Sequence, residues 1–220
     1  MDELKIVSSL HTATKRDYLE RVNSVDKAWA AEKASNWGYD YWDGSRQTGY
    51  GGYKYDGRWK KVAKQLVEKY QMGDGAKILD VGCGKGFLLH DLKSQNPEIE
   101  VTGIDVSAYA IENAMDTVKG NCHIGCASEL PFNDNSFDLV ISINTLHNLG
   151  ISKLWTALSE LGRVSKSQQF VCVESFRNEK EKVNLLYWQL TCRAFYTPDD
   201  WRFLFSRTGY TGDYEFIYFQ

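Results

Sequence analysis

The 220-residue sequence has three prolines, no C-x-x-C pair, no surplus of positive charge and no apolar run approaching a membrane span. A spanning helix needs about 18 or more consecutive apolar residues, so none is expected. Residues 1–10 lack a basic start followed by an apolar core, which argues against a secretory signal. The 26 basic and 29 acidic residues give a net charge of −3. A chain whose main partner is duplex nucleic acid usually carries a basic excess, so nucleic acid is disfavoured as substrate. The five cysteines, Cys83, Cys122, Cys126, Cys172 and Cys192, are odd in number. Neither a disulfide framework nor a zinc ribbon follows from them, and no metal site is expected. Free thiols suit a reducing compartment, and the expected location is cytoplasmic.

What is present is ordinary for a globular chain, with 43% apolar and 25% charged residues. The aromatics are less ordinary: 7 Trp, 13 Tyr and 10 Phe make up 14% and bunch in Trp37 to Trp59 and in Tyr187 to Trp201. They serve either as core filling or as the wall of a pocket. The chain reads as an N-terminal extension and lid over 1–58 followed by one domain over 59–220. Thr14 to Ser35 suits one or two helices. Gly38 to Trp59, rich in glycine and tyrosine, reads as an ordered loop.

From Trp59 onward helical and strand patterns alternate. Trp59–Tyr70 is amphipathic, with Lys60, Lys61, Lys64 and Lys69 on its solvated side. Strands are expected at Lys77–Val81, Glu100–Ile104, Asn121–Gly125 (weakly), Phe137–Ser142, Gln169–Glu174 and Tyr214–Phe219. Helices are expected at Phe87–Gln95, Ala108–Val118, Ile151–Val164 and up to about Gly209. Such alternation predicts βαβ units and a mostly parallel sheet with helices on both faces. Ligands of such sheets sit beyond the carboxyl ends of the strands.

At the first of those ends stands Ile78-Leu-Asp-Val-Gly-Cys-Gly-Lys-Gly-Phe87, a strand running into glycines at 82, 84 and 86 and then a helix. Glycines let a backbone turn sharply and let a ligand approach it closely. The spacing is not the G-x-G-x-x-G of dinucleotide sites. Asp80 precedes the turn, where a carboxylate would repel a pyrophosphate but hold an ammonium. Asp105, ending the second strand, is placed to accept hydrogen bonds from ribose hydroxyls. The ligand therefore reads as a nucleoside joined to an amino acid.

These residues, with GIDVS (103–107), ASELPFNDNSFDLVISINTLHNL (127–149), FVCVES (170–175) and YTPDDWRFLFSRTGY (196–210), make the chain resemble the class I S-adenosylmethionine-dependent methyltransferases over roughly residues 59–210. The resemblance implies an α/β, Rossmann-like class I methyltransferase fold with a mostly parallel central sheet of six or seven strands. It implies S-adenosylmethionine as cofactor. Asp80, Gly82, Cys83 and Gly84 would face its methionine part. Asp105 would meet the ribose, and Val106 the adenine. Cys126, Ala127 and Ser128 would lie near the adenine amino group, with Cys126 where the family commonly has Asp, and Asn144 would border the sulfonium. The family's sheet usually closes with a hairpin, whereas here one clear terminal strand follows the last helix.

Because the sulfonium methyl is already activated, such an enzyme chiefly aligns the nucleophile and excludes water. The acceptor is expected to be a small molecule and its reacting atom an oxygen, with His147, just past the fourth strand, as base and the alternative of a structural histidine. His11, His90 and His123 read as surface residues. Glu174, ending the fifth strand, would either orient the substrate or pair with Arg177. Lys85 reads as solvated. Tyr41, Trp42, Tyr50, Tyr53, Tyr55 and Arg58 would wall the substrate pocket as a lid, unless they form a rigid belt on the sheet. Trp188, Arg193 and Tyr196 occupy a stretch where this family often inserts substrate-selecting elements. No membrane partner is expected, and a homodimer is one expected assembly. An RNA or protein substrate, and a non-catalytic cofactor-binding subunit, remain as alternatives.

Overall fold

The computed structural model describes residues 1–12 and 16–220. Thr14, where the N-terminal helical pattern starts, lies outside the described residues. The pattern itself resolves into α2 (Tyr18–Asn23) and α3 (Lys27–Ala34), after a short α1 (Ser8–Thr12). Asp17 and Asp26 explain the two starts: each side chain accepts a backbone N–H of the first turn, from Glu20 and Trp29. The glycine- and tyrosine-rich stretch is irregular apart from α4 (Tyr39–Trp42). Then α5 (Lys60–Tyr70) buries Val62, Ala63, Leu66 and Tyr70 and leaves its lysines in solvent.

The remaining elements are β1 (Lys77–Val81), α6 (Phe87–Gln95), β2 (Glu100–Asp105), α7 (Ala108–Glu112), β3 (Cys122–Ile124), β4 (Phe137–Ile143), α8 (Ile151–Val164), β5 (Ser165–Ser175), α9 (Glu179–Trp188), α10 (Pro198–Thr208) and β6 (Asp213–Tyr218). α7 is shorter than its apolar spacing suggests. It ends at Glu112 with Asn113 as its cap, and the chain then turns back so that the Met115 N–H reaches the Lys85 carbonyl.

The strands form one sheet in the order β3-β2-β1-β4-β5-β6, with every pairing parallel. Apolar side chains from its two faces enter two cores. One holds Leu66, Ile78, Leu89 and Phe170 under α5 and α6. The other holds Leu79, Val140, Leu158 and Trp201 under α8 and α10. β1 lies between β2 and β4, so the order reverses beside it. In parallel sheets the crevice for a ligand opens at that place, past the strand ends.

Among the described residues β6 pairs directly with β5, in parallel, with no closing hairpin of the kind the resemblance implies. The N-terminal segment covers the outer edge of β6: Leu4 and Asp2 exchange backbone hydrogen bonds with Tyr214 at 2.8 and 3.0 Å. The Glu215 carboxylate, 1% exposed, accepts the backbone N–H groups of Ile6, Val7 and Ser8 at 2.7, 2.8 and 2.6 Å. Glu215→Ala would strand these donors. A loss of about 3 kcal/mol in urea unfolding is expected, with Glu215→Gln losing less because its amide oxygen still accepts. Equal stability of the alanine variant and the parent would show that the edge needs no such clasp.

Candidate active site

A cavity of about 400 Å³ opens beyond the carboxyl ends of β1, β2 and β4. Its floor is the glycine turn. Gly82 has φ +89° and Gly84 φ +54°, both in the region L side chains rarely adopt. There is no room for a side chain either. A Cβ on Gly82 would stand 2.6 Å from Thr145 Cβ and closer still to Thr145 Oγ1, and one on Gly84 would stand 2.7 Å from the Trp42 ring.

Asp80 lies on the cavity wall and is 4% exposed. No described residue donates a hydrogen bond to its carboxyl group. Burial, and then the nearby Asp105, push its pKa up to about 7. Asp105 is also buried, and burial raises its pKa too, opposed by hydrogen bonds. Its two oxygens accept the N–H of Gly84 and of Ser107, each at 2.8 Å. These bonds orient the carboxylate and leave each oxygen a lone pair for a ligand.

Val106, Cys83, Cys126, Ala127, Asn144 and Thr145 complete this side of the wall. Ser128 is not on it and meets the Cys126 thiol instead, 3.1 Å away. Asn144 holds φ +57° at the end of β4, where the chain turns over the sheet edge.

The aromatic segment adds Tyr41, Trp42, Tyr50 and Tyr53 to the wall, together with Trp37 and Trp59. The indole N–H of Trp42 donates to Ser107 Oγ at 2.9 Å and to the Trp37 carbonyl at 3.1 Å. Tyr50 stacks on Trp42 with centroids 5.5 Å apart, and Tyr53 on Phe87 at 4.8 Å. Lys85 is not solvated as the sequence suggests. It is 6% exposed and its ammonium sits 2.6 Å from the Asp43 carboxylate and 3.0 Å from the Tyr53 carbonyl. Tyr109 donates to the same carboxylate at 2.8 Å. Partial burial opposes ionisation of Asp43, but the bonds from Lys85 and Tyr109 outweigh it and its pKa lies below the usual value. This latch ties the segment to the helix start that follows the glycine turn.

Several expected pocket residues lie elsewhere. Arg58 is exposed and pairs with Asp56 at 2.6 Å, and Tyr55 donates its hydroxyl to Asp91 at 2.6 Å instead of lining the cavity. Trp188 packs away from the cavity, its ring flanked by the guanidinium groups of Arg16, Arg21 and Arg46 at 5.2–5.5 Å. Tyr196 sets its ring edge-on to Trp201. Arg193 does line the cavity. His11 is half-buried rather than superficial, against Phe219 at 4.8 Å, and burial lowers its pKa to about 4.

His147 and Glu174 meet each other, 2% and 5% exposed, and neither is on the cavity wall. The backbone N–H of Glu174 donates to His147 Nδ1 at 3.3 Å. That assigns the ring proton to Nε2, which lies 3.4 Å from the Glu174 carboxyl. Burial lowers the histidine pKa to about 3 and raises that of Glu174 to about 8, where Gln189 also donates to the carboxyl. Both groups are thus neutral near pH 7, and the lone pair a base would use already accepts a hydrogen bond. Arg177, the alternative partner of Glu174, pairs with Glu181. The His147 carbonyl accepts the N–H groups of Arg193 and Ala194 at 2.8 and 2.9 Å, so this pair fixes the path of the segment that reaches the cavity.

The sequence reading gave Trp37 and Trp59 only as the ends of an aromatic run and did not name Asn148, Lys153 or Thr191 as wall residues. The tryptophans bound the aromatic run and could have been included on that signal. The others carried none.

Residues 78–168 match the sequence pattern of a methyltransferase domain. The chain is 30% identical over 157 residues to a demethylmenaquinone methyltransferase of Symbiobacterium thermophilum, covering 66% of this chain and 60% of that protein. It is 33% identical over 133 residues to the 24-methylenesterol C-methyltransferase 2 of Arabidopsis thaliana, covering 54% and 36%. The chain thus spans less than two thirds of either relative. In fold it overlaps a chain of the complex between the Haloferax volcanii Trm112 methyltransferase activator and the putative methyltransferase. The TM-score is 0.57 at 20% identity, over 89% of this chain and 77% of that one. With the sheet order, the glycine turn and these similarities in one chain, it has the fold of the class I S-adenosylmethionine-dependent methyltransferases and carries their methyltransferase-domain pattern over residues 78–168.

Proposed function

We propose that this protein transfers the methyl group of S-adenosylmethionine to an oxygen of a small-molecule acceptor held beneath the 38–59 segment, which acts as a lid. The observation that carries the reading is the Asp80 carboxyl, buried on the cavity wall with no donor from the described residues. A carboxylate in that setting calls for a cation, and the α-ammonium of the cofactor is one. Asp105, with a free lone pair on each oxygen, suits the two ribose hydroxyls. Gly82 and Gly84 let the methionine part lie against the backbone. Val106, Cys126 and Ala127 border the adenine, whose amino group would use a backbone carbonyl because the Cys126 thiol is turned to Ser128.

When bound, the cofactor supplies an activated sulfonium methyl, so the chain must position the acceptor and exclude water. The aromatic wall serves both ends. His147 serves as a positioning residue for the 191–194 segment, since its geometry does not suit a direct base. Among the described wall residues, no neutral group with a free lone pair of suitable basicity stands ready to take a proton. The acceptor oxygen is therefore one that ionises easily, such as an acidic phenol, an enol or a carboxylic acid.

A carbon acceptor is the second reading, favoured by the likeness to a protein named as a sterol C-methyltransferase. A phenolate or enolate also carries charge on carbon.

Calorimetry should detect binding of S-adenosylmethionine and S-adenosylhomocysteine. A chain that bound neither would remove the reading. Carbon-13 methyl label, followed by NMR of the product, separates methyl on oxygen from methyl on carbon by chemical shift.

A further inference from the structure

We propose that the acceptor carries an anionic group, a carboxylate or a phosphate, and that Lys153 and Arg193 clamp it at the mouth of the cavity. This deepens the methyl-transfer reading above and rests on it.

Four charged residues stand on the described cavity wall: Asp80, Asp105, Lys153 and Arg193. The two carboxylates end neighbouring strands and are accounted for by the cofactor. The two cations come from other elements. Lys153 is in the first turn of α8, and Arg193 lies between α9 and α10. Arg193 reaches α8 itself: a guanidinium nitrogen comes within 3.9 Å of where a Cβ on Gly150 would stand. Gly150 and Lys153 are three residues apart at the start of one helix, hence on one side of it.

Neither cation makes an ion pair or a side-chain hydrogen bond with a described residue, and both are exposed. Arg58, Arg163, Arg177 and Arg202, by contrast, each meet a carboxylate within 3 Å. Like charges drawn together on a concave wall repel one another and raise the local concentration of anions. The backbone N–H groups of the first turn of α8, which have no intrahelical partner, add to the same positive potential.

The position of Arg193 is built rather than incidental. Its backbone N–H and that of Ala194 are held by the His147 carbonyl, so the buried His147–Glu174 pair sets where the guanidinium emerges. The same cavity is lined by the rings of Tyr41, Tyr50, Tyr53 and Trp59. A planar acceptor lying among these rings, with its anionic substituent at Lys153 and Arg193, would direct its opposite end inward toward Asn144 and Thr145. The anion thus acts as a handle, and its recognition is separate from cofactor binding.

The test uses the full chain saturated with S-adenosylhomocysteine, titrated with 4-hydroxybenzoate, 1-hydroxy-2-naphthoate and 4-hydroxyphenyl phosphate. Their neutral counterparts are 4-hydroxybenzamide, 1-hydroxy-2-naphthamide and hydroquinone. At least one anion should bind tenfold or more tightly than its neutral counterpart. That preference should fall at least tenfold in Lys153→Met and in Arg193→Met, while both variants keep the parent's affinity for S-adenosylhomocysteine. The tighter arm tells carboxylate from phosphate. Neutral counterparts binding as well as the anions would overturn the proposal. So would an unchanged preference in both variants, or a cofactor-loaded protein that takes none of the anions. Each of these leaves the cofactor reading standing. Failure of the parent chain to bind S-adenosylhomocysteine at all would remove the methyl-transfer reading and the clamp with it.

Discussion

Asp80→Asn is expected to weaken S-adenosylhomocysteine binding about a hundredfold at pH 7.5, since truncating one partner of a buried charged pair costs about 2–5 kcal/mol and each factor of ten is about 1.4 kcal/mol. The pH dependence separates this role from a general loss of fold. In the unliganded protein Asp80 holds its proton up to about pH 7. The α-amino group of the ligand, part of a free amino acid, is protonated at and below neutral pH. Affinity in the parent should therefore fall as pH drops below 7, and binding at pH 6 should release a proton, visible as a buffer-dependent calorimetric heat. The asparagine variant should show neither.

Stability moves the other way. An unfolded Asp loses its proton near pH 3.9, whereas the folded one keeps it to about 7, so the folded state binds the extra proton in between. The Asp80 contribution to unliganded stability accordingly declines as pH rises across that interval and levels off above it. Asp80→Asn should melt higher than the parent at pH 8 and closer to it at pH 4.5. A variant that binds the cofactor like the parent, or that melts lower at pH 8, would refute the assignment of an unpaired buried carboxylate.

Gly82→Ala should have the other large effect. At φ +89° any L side chain is strained, at a cost on the order of 1–2 kcal/mol. The new methyl would also meet Thr145, whose Cβ stands 2.6 Å from it. Thr145 follows β4 and borders the cavity, so relief of the clash must move either the glycine turn or the β4 end. Both the melting temperature and cofactor affinity should drop, the latter tenfold or more. Adding Thr145→Gly removes the clash but not the backbone strain, and should restore stability only in part. If Gly82→Ala bound the cofactor normally, the close approach of a ligand to this turn would be wrong.

Much of the sheet was legible because its signals are local. Lys77–Val81 and Ile151–Val164 fall where apolar spacing and turn residues put them. Gly86 opens α6 in the left-handed conformation, consistent with a glycine at a strand-to-helix turn. β5 runs longer than expected, from Ser165, because polar Lys166 and Gln168 at its start hide a strand that continues from α8 without a break. Asp80, the glycines and Asp105 were found for the same local reason. Each is the residue at a strand tip, and in a parallel sheet all strand tips point to one end.

The residues misplaced by sequence share a different cause. Whether His147 faces the cavity or the interior depends on how the segment after β4 meets β5 and the 189–194 stretch. Lys85 looked solvated because its partner Asp43 is 42 residues away. Arg58 and Trp188 could not be sorted from Tyr53 and Arg193 by residue type, since rings and guanidinium groups serve a pocket wall and an outer surface equally well.

The sequence alone therefore determined the alternation of strands and helices, the glycine turn and the two acidic strand tips, because each depends on residues within a few positions of one another. Tertiary structure decided the direct pairing of β6 with β5, the N-terminal segment clasped by Glu215, the inward turn of His147, and the placing of Lys153 and Arg193 on one cavity wall with the aromatic rings. Those arrangements join residues tens to hundreds of positions apart. Which of two chemically similar side chains reaches a cavity is set by how whole layers pack, and no short stretch of sequence carries that information.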